Sequence, residues 1–282
     1  MSLAHHTPRA EQRAGRPEGE DRRAETDAGV PGEAIDPDIV TEAARLVRVA
    51  QQEGIAMRLL GGLAIHAHAE GWAPPGPTRT YADIDFAIEH SSRAKVGPLL
   101  ERQGYRAKEP FNSLNPSRLV FYDLDHARHI DLFVDEFEMC HRIVLARRLD
   151  VDPLTVPTAE LLLTKLQIVE FNRKDLQDIV TLLRAREIGD SDANGIDGRR
   201  IAELLAADWG LWRTATERLA AVPGVAVELG LDERDRAILE RRVEALTARI
   251  VAQPKSLGWR LRSRVGDRRK WYLEPEEIEH GR

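Results

Sequence analysis

Two aspartates, Asp83 and Asp85, alternate with apolar residues in a short segment that has the composition of a buried strand. Successive side chains on a strand point to opposite faces of a sheet. We therefore expect both carboxylates on one face and Ile84 and Phe86 on the other. Two carboxylates so close repel each other unless a cation lies between them. The segment predicts either a cation-binding face or a solvated strand edge.

A pair of glycines precedes this segment by about twenty residues. Gly61 and Gly62 follow an apolar run at 55–60, which predicts a strand, and precede a helical pattern at 63–70. Glycines between a strand and a helix let backbone amides approach a phosphate, and the helix N-terminus adds positive potential. A tight turn without any ligand uses glycine in the same way, so this alternative stays open.

A third acidic residue, Asp131, lies in a predicted strand at 129–133 that forms a hairpin with the strand before it. Its neighbours Ile130 and Leu132 are apolar, so the carboxylate is expected to face away from the core. Asp135 is the alternative third carboxylate. Oxygen ligands of this kind suit Mg²⁺ or Mn²⁺ together with substrate phosphates, as in two-metal phosphoryl transfer.

The order of these elements resembles that of the polymerase-β-like nucleotidyltransferases. In that superfamily Gly-Gly or Gly-Ser precedes Asp-x-Asp/Glu, and one further acidic residue lies on another strand. Residues 79–86 and 172–178, together with Lys165, look like motifs of the AbiEii-type nucleotidyltransferases, which are toxins of toxin–antitoxin systems. Thr80 lies one place earlier than in those motifs, and Gly62 stands where many members have serine.

The resemblance implies an enzyme that moves a nucleoside monophosphate from an NTP to a hydroxyl acceptor. The fold would be α/β (α+β), with a small mixed-sheet nucleotidyltransferase core followed by a mostly helical C-terminal region. Asp83, Asp85 and Asp131 would be the catalytic metal ligands. The implied partners are an NTP, a tRNA or another RNA as acceptor, and an opposing antitoxin protein.

Several further residues are candidates for phosphate binding, and each has an alternative interpretation. Arg79 lies in a predicted loop, where it neutralises phosphate, orients Asp85 or faces solvent. Lys165 lies on an apolar helix, where it contacts the triphosphate or extends to solvent. Lys174 opens the next predicted helix, and Asp175 and Asp178 share one helix face as supporting residues. The predicted nucleotide- and phosphate-binding set is Gly61, Gly62, Arg79, Lys165 and Lys174.

Composition changes along the chain and predicts three parts. Residues 1–35 have almost no large apolar side chains, which is typical of a disordered tail. Residues 36–150 are expected to form the catalytic domain, with a helix that starts at an Asp36 cap. Residues 151–282 are expected to be helical, with one helix at 199–221. The terminal segment 259–273 permits a strand pair, and its interleaved basic and aromatic residues suit either RNA or a solvated face.

The net charge, the cysteine count and the hydrophobicity of the chain exclude several classes of protein. The formal net charge is −6 and the pI is about 5.9, which is not typical of a general nucleic-acid coating protein. The one cysteine, Cys140, permits neither an intramolecular disulfide nor a cysteine-cluster zinc site. No apolar run approaches the roughly 20 residues of a membrane helix. We therefore expect a cytoplasmic location without a membrane partner.

Two other functions remain open at this point. A nucleotidyltransferase fold can bind a nucleotide or a partner protein without turnover. Adenylylation of a small molecule, such as an antibiotic, uses the same core motifs. Acceptor choice depends on loops and appended regions rather than on the shared core, so the sequence motifs do not separate these functions.

Overall fold

A computed structural model describes residues 34–75, 79–170, 172–193 and 195–274. The predicted disordered tail at 1–35 therefore lies almost entirely outside the described residues. The structure has an α+β fold in which a small mixed sheet is followed by a helical C-terminal region, and this confirms the predicted fold class. Within the described residues, no helix combines the length and the apolar character needed to cross a membrane.

The central sheet has five strands, and β2 lies at its second position. The strands are β1 (Met57–Leu60), β2 (Asp83–Ile88), β3 (Arg106–Ala107), β4 (Arg118–Asp123) and β5 (Arg128–Val134). Their order in the sheet is β1-β2-β5-β4-β3. β2 runs parallel to β5, and every other neighbouring pair is antiparallel. The predicted strand that carries Asp83 and Asp85, the predicted strand at 129–133 and its hairpin with the preceding strand are thus confirmed.

Helices surround the sheet and make up most of the second half. They are α1 (Ile39–Gln52), α2 (Gly61–His68), α3 (Arg93–Arg102), α4 (Glu109–Leu114), α5 (Thr158–Leu166), α6 (Arg173–Ala185), α7 (Gly198–Ala207), α8 (Trp209–Glu228), α9 (Glu233–Ala252) and α10 (Leu257–Val265). The described structure also contains two short strand pairs. They are β6 (Glu136–Glu138) with β7 (Arg142–Val144), and β8 (Ile188–Gly189) with β9 (Ile196–Asp197).

The two faces of β2 differ as the alternation predicts. Ile84, Phe86 and Ile88 are fully buried in the core, whereas Asp83 and Asp85 face the other way. One hydrophobic cluster extends from α1 to α9, and it includes Leu161, Leu162 and Leu166 on α5. The core therefore continues across residue 150, where the sequence predicts a domain boundary, and α5 packs against α2 of the first half as well as against α6, α7 and α8.

The first helix begins later than predicted. Its cap is Asp38 rather than Asp36, because the Asp38 carboxylate accepts a hydrogen bond from the amide of Thr41 at 2.9 Å. Asp36 instead accepts a hydrogen bond from the amide of Asp38 at 2.8 Å. The sequence has an aspartate on each side of Pro37, and either could cap the helix. The hydrogen bond from the Thr41 amide shows that Asp38 is the cap.

Two predictions for the C-terminal half are wrong. The single helix at 199–221 is divided into α7 and α8 at Asp208, whose side chain caps α8 through the amide of Leu211. The strand pair at 259–273 is instead α10 followed by a short 3₁₀ turn. Ser256 caps α10 by accepting from the amide of Trp259 at 3.1 Å, and this cap favours the helix over the strand.

Candidate functional site

The parallel pairing of β2 with β5 brings the predicted carboxylates together. Asp85 is directly opposite Asp131, and Asp83 is directly opposite His129. Residues opposite each other in neighbouring strands have side chains on the same face, so all three aspartates share the face that points away from the buried core. Asp131 is buried, whereas the Asp83 side chain is 45% exposed.

Asp135, the alternative third carboxylate, has a different role. It follows β5 in a left-handed backbone conformation with φ 63°. Its side chain accepts a hydrogen bond from the amide of His90 at 2.9 Å. Asp135 is therefore a turn residue at the end of the strand, which leaves Asp131 as the third carboxylate of the sheet face.

His129 lies between two of the carboxylates, although it is not among the residues that the sequence motifs indicate. Its Nδ1 is 2.9 Å from Asp83 Oδ1, and its Nε2 is 3.4 Å from Asp131 Oδ2. These hydrogen bonds to Asp131 and Asp83 raise the pKa of His129 to about 9, so the imidazole is cationic at neutral pH. The signal was its position two residues before Asp131, which places both side chains on one strand face.

Arg118 is a second residue of the candidate site that the sequence motifs do not indicate. Its Nε donates to Asp131 Oδ1 at 3.0 Å, and its Nη2 lies 2.9 Å from the same oxygen. Burial alone would raise the pKa of Asp131, but the hydrogen bonds from His129 and Arg118 hold it below its usual value. Asp131 is therefore an anion between two cations.

The predicted glycines lie directly against the carboxylate face. Gly61 has φ +67°, and a Cβ at this position would come within 2.2 Å of Asp85 Oδ2. A Cβ on Gly62 would come within 2.9 Å of Arg79 Nη2 and 3.0 Å of the Tyr81 ring. The space that a serine side chain would need at position 62 is therefore filled by Arg79 and Tyr81.

Of the three carboxylates, the charge of Asp85 is the least balanced by nearby basic side chains. Burial, followed by the charges of Asp131 and Asp83, raises the pKa of Asp85 to about 7, and Lys165 and Arg118 oppose this shift only in part. A carboxyl group with a raised pKa in a cleft is typical of a functional site. A cation placed beside Asp85 would therefore lower its pKa.

Lys165 lies in an ion-pair cluster with three other predicted residues. Its Nζ is 3.0 Å from Asp175 Oδ1 and 2.9 Å from Asp178 Oδ2. Arg79 donates to both oxygens of Asp178 at 3.3 Å. Burial opposes the charge on Lys165, but Asp178 and Asp175 outweigh it and raise its pKa. The interpretation of Lys165 as a surface lysine is therefore wrong, because its side chain is 13% exposed.

A cavity of about 610 Å³ opens beside this cluster and joins both halves of the chain. Gly61, Asp85 and Arg118 line it from the sheet side, and Lys165 and Asp175 line it from the helices. Lys174 lies on the exposed first turn of α6 and does not line the cavity. Of the predicted phosphate-binding residues, Gly61 and Lys165 therefore line the cavity, whereas Gly62, Arg79 and Lys174 do not.

A divalent cation fits the donor chemistry of the sheet face, although the face is not a ready-made metal site. Carboxylate oxygens are the protein ligands that Mg²⁺ prefers, and one or two suffice when phosphates supply the rest. Among the described residues, no group of three His, Cys, Asp or Glu side chains is close enough to hold a metal ion. His129 and Arg118 are the partners that a bound cation would compete with.

A comparison with protein-family models finds no match to this chain, and a comparison with curated proteins finds none either.

Proposed function

We propose that this protein is a metal-dependent nucleotidyltransferase that moves a nucleoside monophosphate from an NTP to a hydroxyl acceptor. The observation that carries this proposal is the direct pairing of Asp85 with Asp131 on parallel strands, with the Gly61 backbone against Asp85. Paired carboxylates beside a glycine turn at a helix N-terminus combine metal ligands with phosphate-binding amides. The adjoining cavity of about 610 Å³ has the size typical of small-molecule sites.

Each charged group has a role in this reaction. The acceptor oxygen attacks the α-phosphorus, the bond from that phosphorus to the bridging oxygen breaks, and pyrophosphate leaves. The acceptor proton passes to Asp131, which Arg118 and His129 keep ionised. Lys165 and the amides at Gly61 and Gly62 bind the departing phosphates. A divalent cation bound to the carboxylates would supply the positive charge that such transfers require.

Lys165 reaches phosphate from a paired position. Its ammonium group already contacts Asp175 and Asp178, and Arg79 shares Asp178. Two carboxylates hold one ammonium at the cavity wall, so little rotamer freedom remains to be lost when phosphate binds. In this function Asp175 and Asp178 are positioning residues, and Arg79 holds Asp178 from the other side.

The acceptor distinguishes variants of this function. By the resemblance, the acceptor is a tRNA or another RNA and the enzyme is a toxin that an antitoxin opposes. An antibiotic as acceptor would make it an adenylyltransferase of small molecules. Because these variants share the carboxylates and differ only in the acceptor, transfer assays with several acceptors decide between them.

The test is transfer of label from each of the four α-labelled NTPs to total RNA, protein and small hydroxyl acceptors, with Mg²⁺ or Mn²⁺. We expect transfer by the wild-type protein and none by Asp83→Asn or Asp85→Asn. Asp125→Asn is the matched control, because Asp125 lies exposed in the β4–β5 turn. Full transfer by both site variants would refute the assignment.

A non-catalytic nucleotide-binding module is the second candidate, and one observation favours it. Asp83 and Asp131 are already bridged by His129, so both carboxylates have a partner without a metal ion. A module of this kind binds NTP without transferring label. Calorimetric titration of NTP beside the transfer assay therefore separates it from the enzyme.

A further inference from the structure

The segment from α10 to residue 270 concentrates positive charge in an acidic protein. Between residues 257 and 270 there are six basic residues and one acidic residue, whereas the whole chain has a net charge of −6. The one acidic residue, Asp267, is paired with Arg213 at 3.4 Å. Charge asymmetry of this kind creates a local potential that attracts polyanions.

Four arginines of this segment project into solvent, and we call them the arginine patch: Arg260, Arg264, Arg268 and Arg269. Within the described part of the chain, their guanidinium groups make no ion pair. Arg262 differs from them, because it donates to the carbonyl groups of Gly266 and Arg269 and lies 4.4 Å from the centre of the Trp209 ring. Arg262 therefore fixes the turn, while the patch keeps its donors available.

The aromatic residues of this region support the helix instead of forming a platform for bases. Trp259 packs edge-on against Trp212 with ring centres 5.1 Å apart, and Trp271 packs edge-on against Trp209 at 6.2 Å. The expectation that these rings stack on a single strand is therefore not supported. Phosphate contacts from the arginine patch remain as the means by which this surface can bind nucleic acid.

The arginine patch is connected to the cavity by a short stretch of chain. Leu273 and Glu274 line the cavity, and the amide of Leu273 is fixed by the carbonyl oxygen of Cys140 at 2.9 Å. Leu273 lies four positions after Arg269 in the chain, and four residue steps span at most about 14 Å. The patch therefore begins close to the cavity that contains Asp85 and Lys165.

We propose that the arginine patch binds the phosphate backbone of an RNA whose end enters the cavity as the acceptor. This inference rests on the proposed function and names its acceptor class. A protein partner would use the neighbouring exposed side chains Leu257, Leu261 and Val265. The area that three aliphatic side chains on a nine-residue helix can bury falls well short of the roughly 800 Å² per partner in a stable protein interface. The positive charge of the arginine patch therefore favours RNA as the partner.

The surface is tested by direct binding of a fluorescent single-stranded RNA to the full chain over a series of salt concentrations. We expect Arg260→Glu with Arg264→Glu to weaken binding about tenfold or more. The same pair should reduce the slope of log affinity against log salt by about 1.4, since each lost phosphate contact on a single strand contributes about 0.7. The matched control is Arg234→Glu with Arg241→Glu, which makes the same charge change at exposed positions of α9.

Equal weakening in both pairs, or wild-type binding that does not depend on salt, would overturn the inference. So would RNA binding that survives the arginine changes and is lost in Leu261→Asn, because that result assigns the surface to an apolar partner. If the wild-type protein transfers label to a small hydroxyl acceptor but does not bind RNA, the proposed role of the arginine patch is refuted and the proposed function is not. RNA binding that depends on the patch, without label transfer to any acceptor, supports the patch and defeats the proposed function.

Discussion

The backbone at Gly61 lies so close to the Asp85 carboxylate that a Cβ on residue 61 would come within 2.2 Å of Oδ2. Gly61 also has φ +67°, a conformation that costs a residue with a side chain about 1–2 kcal/mol. The glycine therefore serves both the strand-to-helix turn and the position of Asp85. No larger residue satisfies both requirements without moving the carboxylate.

Replacement of Gly61 by alanine should reduce both stability and label transfer. We expect Gly61→Ala to lower the free energy of unfolding in urea by about 2–5 kcal/mol, since overpacking adds to backbone strain. Gly71→Ala is the control, because Gly71 has φ +79° and nothing within 4 Å of its Cβ position. It should lose about 1–2 kcal/mol and keep transfer. Equal losses in the two variants would contradict the close approach to Asp85.

Removal of the Lys165 ammonium should destabilise the protein strongly. Lys165→Met leaves the buried Asp175 without its cation, and we expect a loss of about 3 kcal/mol in urea unfolding. Adding Asp175→Asn should restore part of the loss, because the uncompensated charge is removed. Lys174→Met on the exposed first turn of α6 should change stability by less than about 0.5 kcal/mol. A similar loss at both lysines would argue against the buried ion pair.

The alternation of residues in β2 predicted the shared face of Asp83 and Asp85, because strand period is a local property. The parallel neighbour of β2 was not predictable in this way. The register that sets Asp85 opposite Asp131 joins segments more than forty residues apart, and only tertiary packing fixes it. Asp131 was identified through apolar neighbours and resemblance rather than through knowledge of that pairing.

The sequence motifs indicate carboxylates but not the basic side chains that pair with them, so they do not indicate Arg118 or His129. His129 shares the strand and the face of Asp131, so the period of β5 indicated it. Arg118 reaches Asp131 across the hairpin, and its position depends on the register of β4 against β5. A buried carboxylate requires a cation or hydrogen-bond donor, and a search for basic residues on both hairpin strands would have found the two side chains.

Two buried histidines should make stability fall as the pH is lowered. Burial lowers the pKa of His68 and of His141 below the ordinary value of 6.5, and the Nε2 atom of each ring contacts a threonine hydroxyl. As the pH falls through 6.5, the unfolded chain binds protons at these sites before the folded chain does. Their contribution to stability is therefore complete above pH 6.5 and is lost below it.

The measurement is the difference in unfolding free energy between wild type and His68→Gln/His141→Gln at pH 7.5 and pH 5.5. The difference removes the opposite effect of Asp85, whose raised pKa of about 7 favours the folded state as the pH falls. Relative to the variant, wild type should lose stability at pH 5.5. A difference that is constant with pH would show that the two imidazoles titrate normally in the folded protein.

Trp259 should control whether α10 stays attached to α8. The helix has no buried residue. Its contacts with α8 include Trp259, which packs edge-on against Trp212, and Arg262, whose guanidinium group lies over the Trp209 ring. Loss of an aromatic pair costs about 0.5–1.5 kcal/mol beyond the area it buries. We expect Trp259→Ala to increase tryptic cleavage after Arg260 and Arg264 and to speed hydrogen exchange across α10, with little change in exchange elsewhere. Leu261→Ala is the control, because Leu261 is 62% exposed and should leave both rates unchanged. Faster exchange throughout the sheet in Trp259→Ala would mean that α10 belongs to the global folding unit.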